Sequence, residues 1–95
     1  MSRHILTPKN EDHEVVVGWD PPLNTFFVHI IDTSKDEEDE SYDVLWVGCR
    51  FNEILDIQAI MAMVEPHIII IDQERQTLIK ELLNDSKLGW RNPPI

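Results

Sequence analysis

The chain has 95 residues, of which 42% are hydrophobic and 27% are charged, and its formal net charge at pH 7 is −10. This length predicts a single domain over residues 1–95, with apolar side chains sufficient for one modest core. The net negative charge is the opposite of a basic nucleic-acid-binding footprint, so we expect no direct binding to DNA or RNA. No apolar run is long enough to span a membrane, so we expect no membrane partner.

The N-terminal residues lack the apolar core of a secretory signal, and Cys49 is the only cysteine. A single cysteine cannot form an internal disulfide, which fits a reducing compartment. We therefore expect a cytoplasmic protein.

Residues 1–12 have two interpretations that the sequence leaves open. His4 to Thr7 is either a short edge strand or part of a loose N-terminal arm, with Pro8 to Asn10 forming a turn in the first case.

The segment from His13 to Asp32 predicts a β-hairpin, because residues that favour strands fill both halves and Pro21-Pro22 interrupts them. Strand side chains alternate between the two faces of a sheet. Each strand therefore presents an apolar set, which is Val15, Val17 and Trp19 on the first strand, and Phe26, Val28 and Ile30 or Phe27, His29 and Ile31 on the second.

An acidic segment follows the hairpin. In residues 32–43, seven carboxylates oppose Lys35 and leave a net charge of −6. Residues 33–42 contain almost no apolar side chains, so we expect a mobile acidic loop there. Its central carboxylates are Asp36, Glu37, Glu38, Asp39 and Glu40.

The segment from Asp43 to Arg50 predicts a further strand with apolar residues on both faces, which we expect to be covered on part of each face. Asp56 is a suitable N-cap for a helix that ends near Val64 or Glu65, before Pro66. The apolar stripe of this helix is Ile57, Ile60, Met61 and Val64.

Ile68 to Ile71 is ambiguous between a strand and a buried connector, and we favour the connector. Asp72 is placed to cap a second helix whose stripe is Leu78, Ile79, Leu82 and Leu83. Lys87 and Gly89 are typical of a helix C-terminus, so residues 90–95 are expected to form a tail. Strands that precede helices predict an α+β, two-layer domain, in which a three- to four-stranded antiparallel meander sheet is followed by two helices packed on one face.

Three stretches carry a resemblance to a known group of proteins: Met1-Ser2-Arg3-His4, Val17 to Phe27, and Leu45 to Gly48. With the acidic insert and the helical C-terminal half, they resemble an uncharacterised family of short acidic bacterial proteins, some of which are associated with plasmids and other mobile elements. The likeness covers most of the chain. It implies a bacterial, cytoplasmic, single-domain protein, and it brings no activity, cofactor or catalytic residue with it.

Enzymatic chemistry has little support in the sequence. His13, His29 and Asp20 are one candidate metal site, but their spacing matches no metal-binding motif. Cys49, beside Arg50, is a candidate nucleophile whose pKa the guanidinium could lower, although such a cysteine is more often a small buried hydrophobe. The three glycines are isolated, so no phosphate-binding loop is expected. We expect no catalytic residue, no metal and no cofactor.

The sequence features that indicate binding are stronger than those that indicate catalysis. Two helices cover only one face of a sheet, so the other face keeps large side chains that a monomer rarely leaves bare. Either the N-terminal arm or the Trp90 tail covers that face, or a partner or a second copy does. The acidic loop either attracts a basic surface or only keeps the protein soluble. The residues we expect at a partner interface are Trp19, Phe27, His29 and Trp46 on the sheet and Asp36, Glu37, Glu38, Asp39 and Glu40 in the loop.

The function predicted from these features is non-enzymatic binding to a protein with a basic surface. By analogy with anti-CRISPR and DNA-mimic proteins, the partner is a nucleic-acid-binding bacterial complex that the protein inhibits or regulates. The alternatives are a small metal-dependent enzyme that uses His13, His29 and Asp20, or an accessory subunit that forms a homodimer or larger homo-oligomer.

Overall fold

Over residues 2–91, the chain folds into a four-stranded antiparallel sheet with two α-helices on one face. The computed structural model describes the backbone of these residues and the side chains of residues 2–86. The strands, in sheet order, are β1 (His4–Leu6), β2 (His13–Asp20), β3 (Thr25–Asp32) and β4 (Asp43–Val47). The helices are α1 (Ile57–Val64), a short 3₁₀ helix (Glu65–His67) and α2 (Asp72–Arg91). The predicted α+β meander is confirmed, and β1 is an edge strand rather than a loose arm.

The register of the β2–β3 hairpin determines which apolar set faces the helices. Val15 lies opposite Ile30, Val17 opposite Val28, and Trp19 opposite Phe26. All six side chains are buried in the core. At the turn, Asn24 adopts a positive φ of 52°, a conformation that asparagine tolerates better than most residues.

Helix α1 begins and ends as its sequence predicts. The Asp56 side chain accepts a hydrogen bond from the Gln58 N–H at 2.9 Å, which satisfies a free amide at the helix N-terminus. Ile60, Met61 and Val64 are buried against the sheet, and Ile57 packs at the edge of the core. Helix α2 buries Leu78 and Leu82 from its predicted stripe, while Ile79 is partly buried and Leu83 is exposed.

Two boundaries differ from the prediction. Helix α2 continues to Arg91, past Lys87 and Gly89, so these residues do not end it, and residues 92–95 lie outside the described residues. Strand β4 ends at Val47 rather than Arg50, because Gly48 has a φ of +85° and takes the chain out of the sheet.

The Ile68–Ile71 segment is a connector, as we favoured. Ile68 forms an isolated bridge with Pro8 and is buried, whereas Ile69 and Ile71 are exposed. The Ile69 N–H donates to the Thr7 carbonyl at 3.0 Å. Ile68 is therefore the fully buried residue of the connector, and Ile70 is partly buried against the core.

The acidic segment between β3 and β4 forms a succession of turns. Its ends are joined by the Asp32 N–H, which donates to the Tyr42 carbonyl at 2.8 Å. Within it, the Asp39 carboxylate accepts from both the N–H and the hydroxyl of Ser41, at 2.9 and 2.8 Å. The mobility expected for residues 33–42 stays a prediction.

Candidate functional site

Neither α1 nor α2 packs on the opposite face of the sheet, whose side chains range from buried to exposed among the described residues. A single cross-strand row on this face contains one residue from each strand, in the order Ile5, Val16, His29 and Trp46. Ile5 is 73% exposed and Trp46 is 58% exposed, whereas Val16 between them is buried. The row crosses the full width of the sheet and is apolar except for the His29 imidazole, and we call this side of the sheet the open face.

The prediction that both faces of β4 are partly covered is wrong for its outer face. Val44 and Trp46 are exposed there, because both helices pack on the other face. Strand β1 pairs with β2 at the far edge of the sheet and does not cover β4. The N-terminal arm, one of the two segments expected to cover this face, instead forms strand β1 at the edge of the sheet. The Trp90 side chain lies outside the described side chains.

Trp46 is held in place by its neighbour across the strands. Its ring stacks on the His29 imidazole with a centroid separation of 4.4 Å and an interplanar angle of 20°. The His29 Nε2 atom lies 2.8 Å from the Asp43 Oδ1 atom. The three side chains form a chain of contacts that fixes the orientation of an exposed indole.

Trp19 does not belong to this surface, which corrects our expectation of it as a partner-binding residue. It lies on the helix-covered face, is only 5% exposed, and packs edge-on against Phe26 at 4.9 Å between ring centroids. The alternation along β2 was predicted correctly, but the sequence did not determine which of its faces the helices cover.

A pocket of about 340 Å³ opens beside the aromatic pair. Phe27 lies at its middle, with Val16, His29 and Trp46 toward one end and Asp20 toward the other. Two glycines make room for the Phe27 side chain. A Cβ atom on Gly18 would lie 2.9 Å from the Phe27 ring, and one on Gly48 would lie 2.6 Å from the Phe27 Cα atom.

Two opposite charges border this pocket. The Asp20 carboxylate and the Arg3 guanidinium both line it. Among the side chains of residues 2–86, neither forms an ion pair. The pocket therefore combines an apolar aromatic floor with charged groups available to a ligand.

The loop after β4 contains a carboxylate bound by the backbone. Glu53 accepts hydrogen bonds from the N–H groups of Gly48, Cys49 and Arg50, each at 3.1 Å. These hydrogen bonds, that of Gly48 first, hold the pKa of Glu53 below its ordinary value. Glu53 thus fixes the loop that forms one wall of the pocket.

Cys49 lacks the environment of an activated nucleophile. The residue is exposed, contrary to the expectation of a buried hydrophobe. Partial burial of the thiol raises the pKa of Cys49, and the negative charge of Glu53 raises it further, whereas Arg50 lowers it by less. The expected pKa-lowering influence of Arg50 is therefore outweighed, and the thiol is less reactive at neutral pH.

The hypothetical metal site of His13, His29 and Asp20 is not assembled. His13 shares the helix-covered side of β2 with Val15, whereas His29 lies on the open face. Each histidine has its own carboxylate neighbour, Asp32 at 3.9 Å for His13 and Asp43 for His29. Within the described residues, no group of three or more potential ligand side chains could hold a metal ion. This part of the enzymatic alternative is wrong because the side chains of the two histidines lie on opposite faces of the hairpin.

The acidic segment lies at the end of the sheet where β3 leaves and β4 enters, so it borders the Asp43 end of the open face. Asp36, Glu37, Glu38, Asp39 and Glu40 are all exposed. Hydrogen bonds from Ser41 lower the pKa of Asp39, the backbone N–H contributing most, so this carboxylate also has a structural role. The other four are solvated charges beside an apolar strip.

Several contributors to this surface were not expected from the sequence. The sequence predicts Ile5 only in a possible edge strand and Val16 only on the face of the first hairpin strand opposite Val15, and it gives Gly18 and Gly48 no role. A signal was present for the glycines, because a glycine inside a strand pattern often marks a close approach of another group. No sequence signal indicated that Glu53 binds the backbone of residues 48–50.

No helix within the described residues is both long enough and apolar enough to cross a membrane. Comparison of the chain with protein-family models, with curated proteins and with solved structures finds no match.

Proposed function

We propose that this chain is a non-enzymatic binding module that docks on a basic surface of a larger protein through its open face. The observation that carries the proposal is the exposure of Ile5 and Trp46 at the two ends of the cross-strand row, which the acidic segment borders. Tryptophan is enriched among the residues that dominate binding energy at interfaces. Exposed apolar surface rimmed by charge is typical of interaction sites.

The state of the aromatic pair supports the same proposal. His29 and Asp43 hold Trp46 in one orientation before any partner arrives. An anchor that is already ordered loses less conformational entropy on binding than a freely rotating side chain does. The contacts beneath Trp46 thus favour a docking role over that of an incidental surface tryptophan.

Electrostatics indicates the class of partner. The net charge of −10 and the concentration of −6 in residues 32–43 favour encounter with a basic surface. Nucleic-acid-binding proteins present such surfaces, so the partner class we propose is a basic, nucleic-acid-binding protein. Occupation of its groove by this chain would inhibit it by excluding the nucleic acid.

The docking face is tested by site-specific crosslinking in cells. A photoreactive amino acid replaces Trp46 in one variant, and exposed Gln76 on α2 in a matched control. We expect the crosslinker at position 46, and not at position 76, to capture one dominant protein. Capture of the same proteins from both positions contradicts docking through the open face. Dominant capture of a second copy of this chain supports the homo-oligomeric alternative, which light scattering at several concentrations checks independently.

The role of the acidic segment is tested on the captured partner. Glu37, Glu38 and Glu40 are replaced by Gln, while Asp39 is kept because it binds Ser41. We expect slower association and a weaker dependence of the association rate on salt, since fewer charges steer the encounter. Exposed Glu74 and Glu81 lie on α2, so Gln at these positions provides the control. Unchanged association rates in the segment variant remove the acidic segment from the mechanism.

Inhibition has its own test. If the partner binds DNA or RNA, increasing this protein should displace the nucleic acid competitively, and the Trp46→Ala variant should displace it less effectively. Simultaneous binding of the nucleic acid and this protein to the partner contradicts inhibition by occupation of the groove.

A further inference from the structure

The pocket over Phe27 has the size of a site for one side chain. Its volume of about 340 Å³ is near the lower end of the range of about 300–1,000 Å³ found for small-molecule sites. It lies within the open face, beside Trp46, so a protein docked on that face would reach it. The occupant is therefore best sought among the side chains of the partner.

The lining of the pocket favours a side chain that is apolar along its length and charged at its end. Phe27 provides apolar contact at the middle of the pocket, and Val16 and Trp46 provide it at one end. Asp20 provides a carboxylate in the direction of the β2–β3 turn. Long basic side chains have this form, since their methylene groups pack on apolar surface while the charged group remains at a polar end.

The sign of the charge follows from the surroundings of the pocket. Arg3 is a basic group in the lining, but Asp20 also lines the pocket and Asp43 lies behind His29. The formal charge of the chain is −10, so the surrounding field favours a cation. A guanidinium fits better than an ammonium, because it is planar, can donate two parallel hydrogen bonds to the Asp20 carboxylate and is more weakly hydrated.

We propose that this pocket binds an arginine side chain of the partner, with its methylene groups on Phe27 and Trp46 and its guanidinium paired with Asp20. This inference rests on the proposed docking function and adds the identity of the group that is recognised. Arg3 opposes the incoming charge and thereby limits the affinity.

The test uses a small probe, N-acetyl-arginine N-methylamide, titrated into the uniformly ¹⁵N-labelled protein. The neutral control is the citrulline analogue, which has the same length and a planar urea group in place of the guanidinium. We expect saturable shifts for the arginine probe at the Trp46 indole N–H and at the amides of Val16, Phe27 and Gly48. The citrulline probe should bind more weakly, by up to about fivefold, as expected for loss of one partly exposed ion pair.

Two charge variants with opposite expected effects test the orientation. Asp20→Asn should weaken arginine binding about fivefold and should leave citrulline binding unchanged. Arg3→Gln should strengthen arginine binding by about twofold, because a repulsive charge is removed. Glu14→Gln, on the same face of β2 but outside the pocket lining, is the matched control. Retention of the wild-type spectrum away from the substitution verifies that each variant is folded.

Several results would overturn the inference. They are equal binding of the arginine and citrulline probes, insensitivity of arginine binding to Asp20→Asn, and absence of a saturable shift up to the solubility limit of the arginine probe. Equal binding of the lysine analogue overturns the selection of arginine, and preferential binding of the glutamate analogue through Arg3 overturns the assigned charge.

Failure of this inference and failure of the proposed function are distinguishable. If the crosslinker at position 46 captures one partner and the arginine probe does not bind, docking through the open face stands without arginine recognition. If the probe binds in the pocket but positions 46 and 76 capture the same proteins, the pocket is real and the docking proposal fails.

Discussion

The imidazole of His29 lies stacked beneath the indole of Trp46, with 4.4 Å between the ring centroids. The two residues are directly opposite each other on β3 and β4. Asp43, at the start of β4, contacts the Nε2 atom at the edge of the imidazole ring. An exposed aromatic ring therefore rests on a polar support that belongs to the sheet itself. This arrangement separates the role of Trp46 from the role of the tryptophan in the core.

Substitution of these two tryptophans should reduce the stability of the fold to very different extents. Trp46→Ala should reduce the free energy of unfolding by less than about 1 kcal/mol, as is usual for exposed positions. Trp19→Ala should reduce it by about 3–5 kcal/mol, because a buried indole is removed from the core. Urea unfolding followed by circular dichroism measures both values. A loss for Trp46→Ala as large as that for Trp19→Ala would mean that Trp46 serves the fold rather than a partner.

Gly48 should not tolerate a side chain. Alanine at this position would keep an unfavourable positive φ of 85° and would place its Cβ atom 2.1 Å from the Phe26 carbonyl oxygen. We expect Gly48→Ala to lower the free energy of unfolding by about 2–4 kcal/mol, from backbone strain and overpacking together. Urea unfolding measures the change, and Gln76→Ala on the exposed side of α2 is a control expected to change stability by less than about 0.5 kcal/mol. A neutral Gly48→Ala would show that the wall of the pocket adjusts readily.

Thr25 should contribute to stability through its hydroxyl group rather than its size. This residue is completely buried, its Oγ1 atom accepts from the Ile54 N–H at 2.7 Å, and its hydroxyl donates to the Phe26 carbonyl at 2.8 Å. Thr25→Val keeps the shape but leaves the Ile54 amide without its acceptor, so we expect a loss of about 1–3 kcal/mol.

Thr77→Val is the matched control for this substitution, because Thr77 is exposed on α2 and donates only to the Gln73 carbonyl. We expect it to change stability by less than about 0.5 kcal/mol. Both variants are compared by thermal and urea unfolding. Equal effects of the two valines would contradict the assigned role of the buried hydroxyl.

The stabilising effect of Glu53 should disappear in acid. Its pKa in the folded protein is below the ordinary value of 4.5, because the backbone N–H groups of residues 48–50 bind its charged form. In this pH range the unfolded chain binds more protons than the folded chain, so stability decreases as the pH falls. The contribution of Glu53 is complete above its unfolded pKa and is lost as the pH falls through its folded pKa.

This prediction is checked by the difference in unfolding free energy between the wild type and Glu53→Gln. The difference should be largest near pH 7 and should shrink below about pH 4.5, since protonated glutamate and glutamine make similar hydrogen bonds. Repulsion among the other carboxylates changes with pH in both proteins and largely cancels in the comparison. A difference that is independent of pH would show that the side chain acts through packing and not through its charge.

The sequence predicted the architecture well because its elements have unambiguous local signals. The alternation of residues in the hairpin, the Asp56 N-cap and the interruption at Pro66 each indicate one structure without knowledge of the rest of the chain. The end of α2 was missed because a single glycine and a lysine weaken a helix without ending it. The extent of β4 depends on the backbone conformation of Gly48, which its neighbours in sequence do not specify.

The surface was harder to predict than the fold. Alternation identifies which residues share a face, but the helices decide which face is covered. This choice places Trp19 in the core and leaves Trp46 exposed. The pocket depends on Gly18 and Gly48 flanking Phe27, although they are 30 positions apart in the sequence. Such a relationship appears only when strand register is known, because it joins residues from two strands, β2 and β3, and the loop after β4.

One side-chain contact in the structure joins two regions that are far apart in the sequence and are therefore synthesised at different times. The His4 Nε2 atom is 2.9 Å from the Asp85 Oδ2 atom, across 81 positions of sequence, and this contact fastens β1 to α2. During translation, the β2–β3 hairpin emerges long before the helix that covers its apolar side. Until that helix is synthesised, Val15, Val17 and Phe26 lack part of the surface that buries them in the folded protein, so we expect chaperone binding to matter most in this interval.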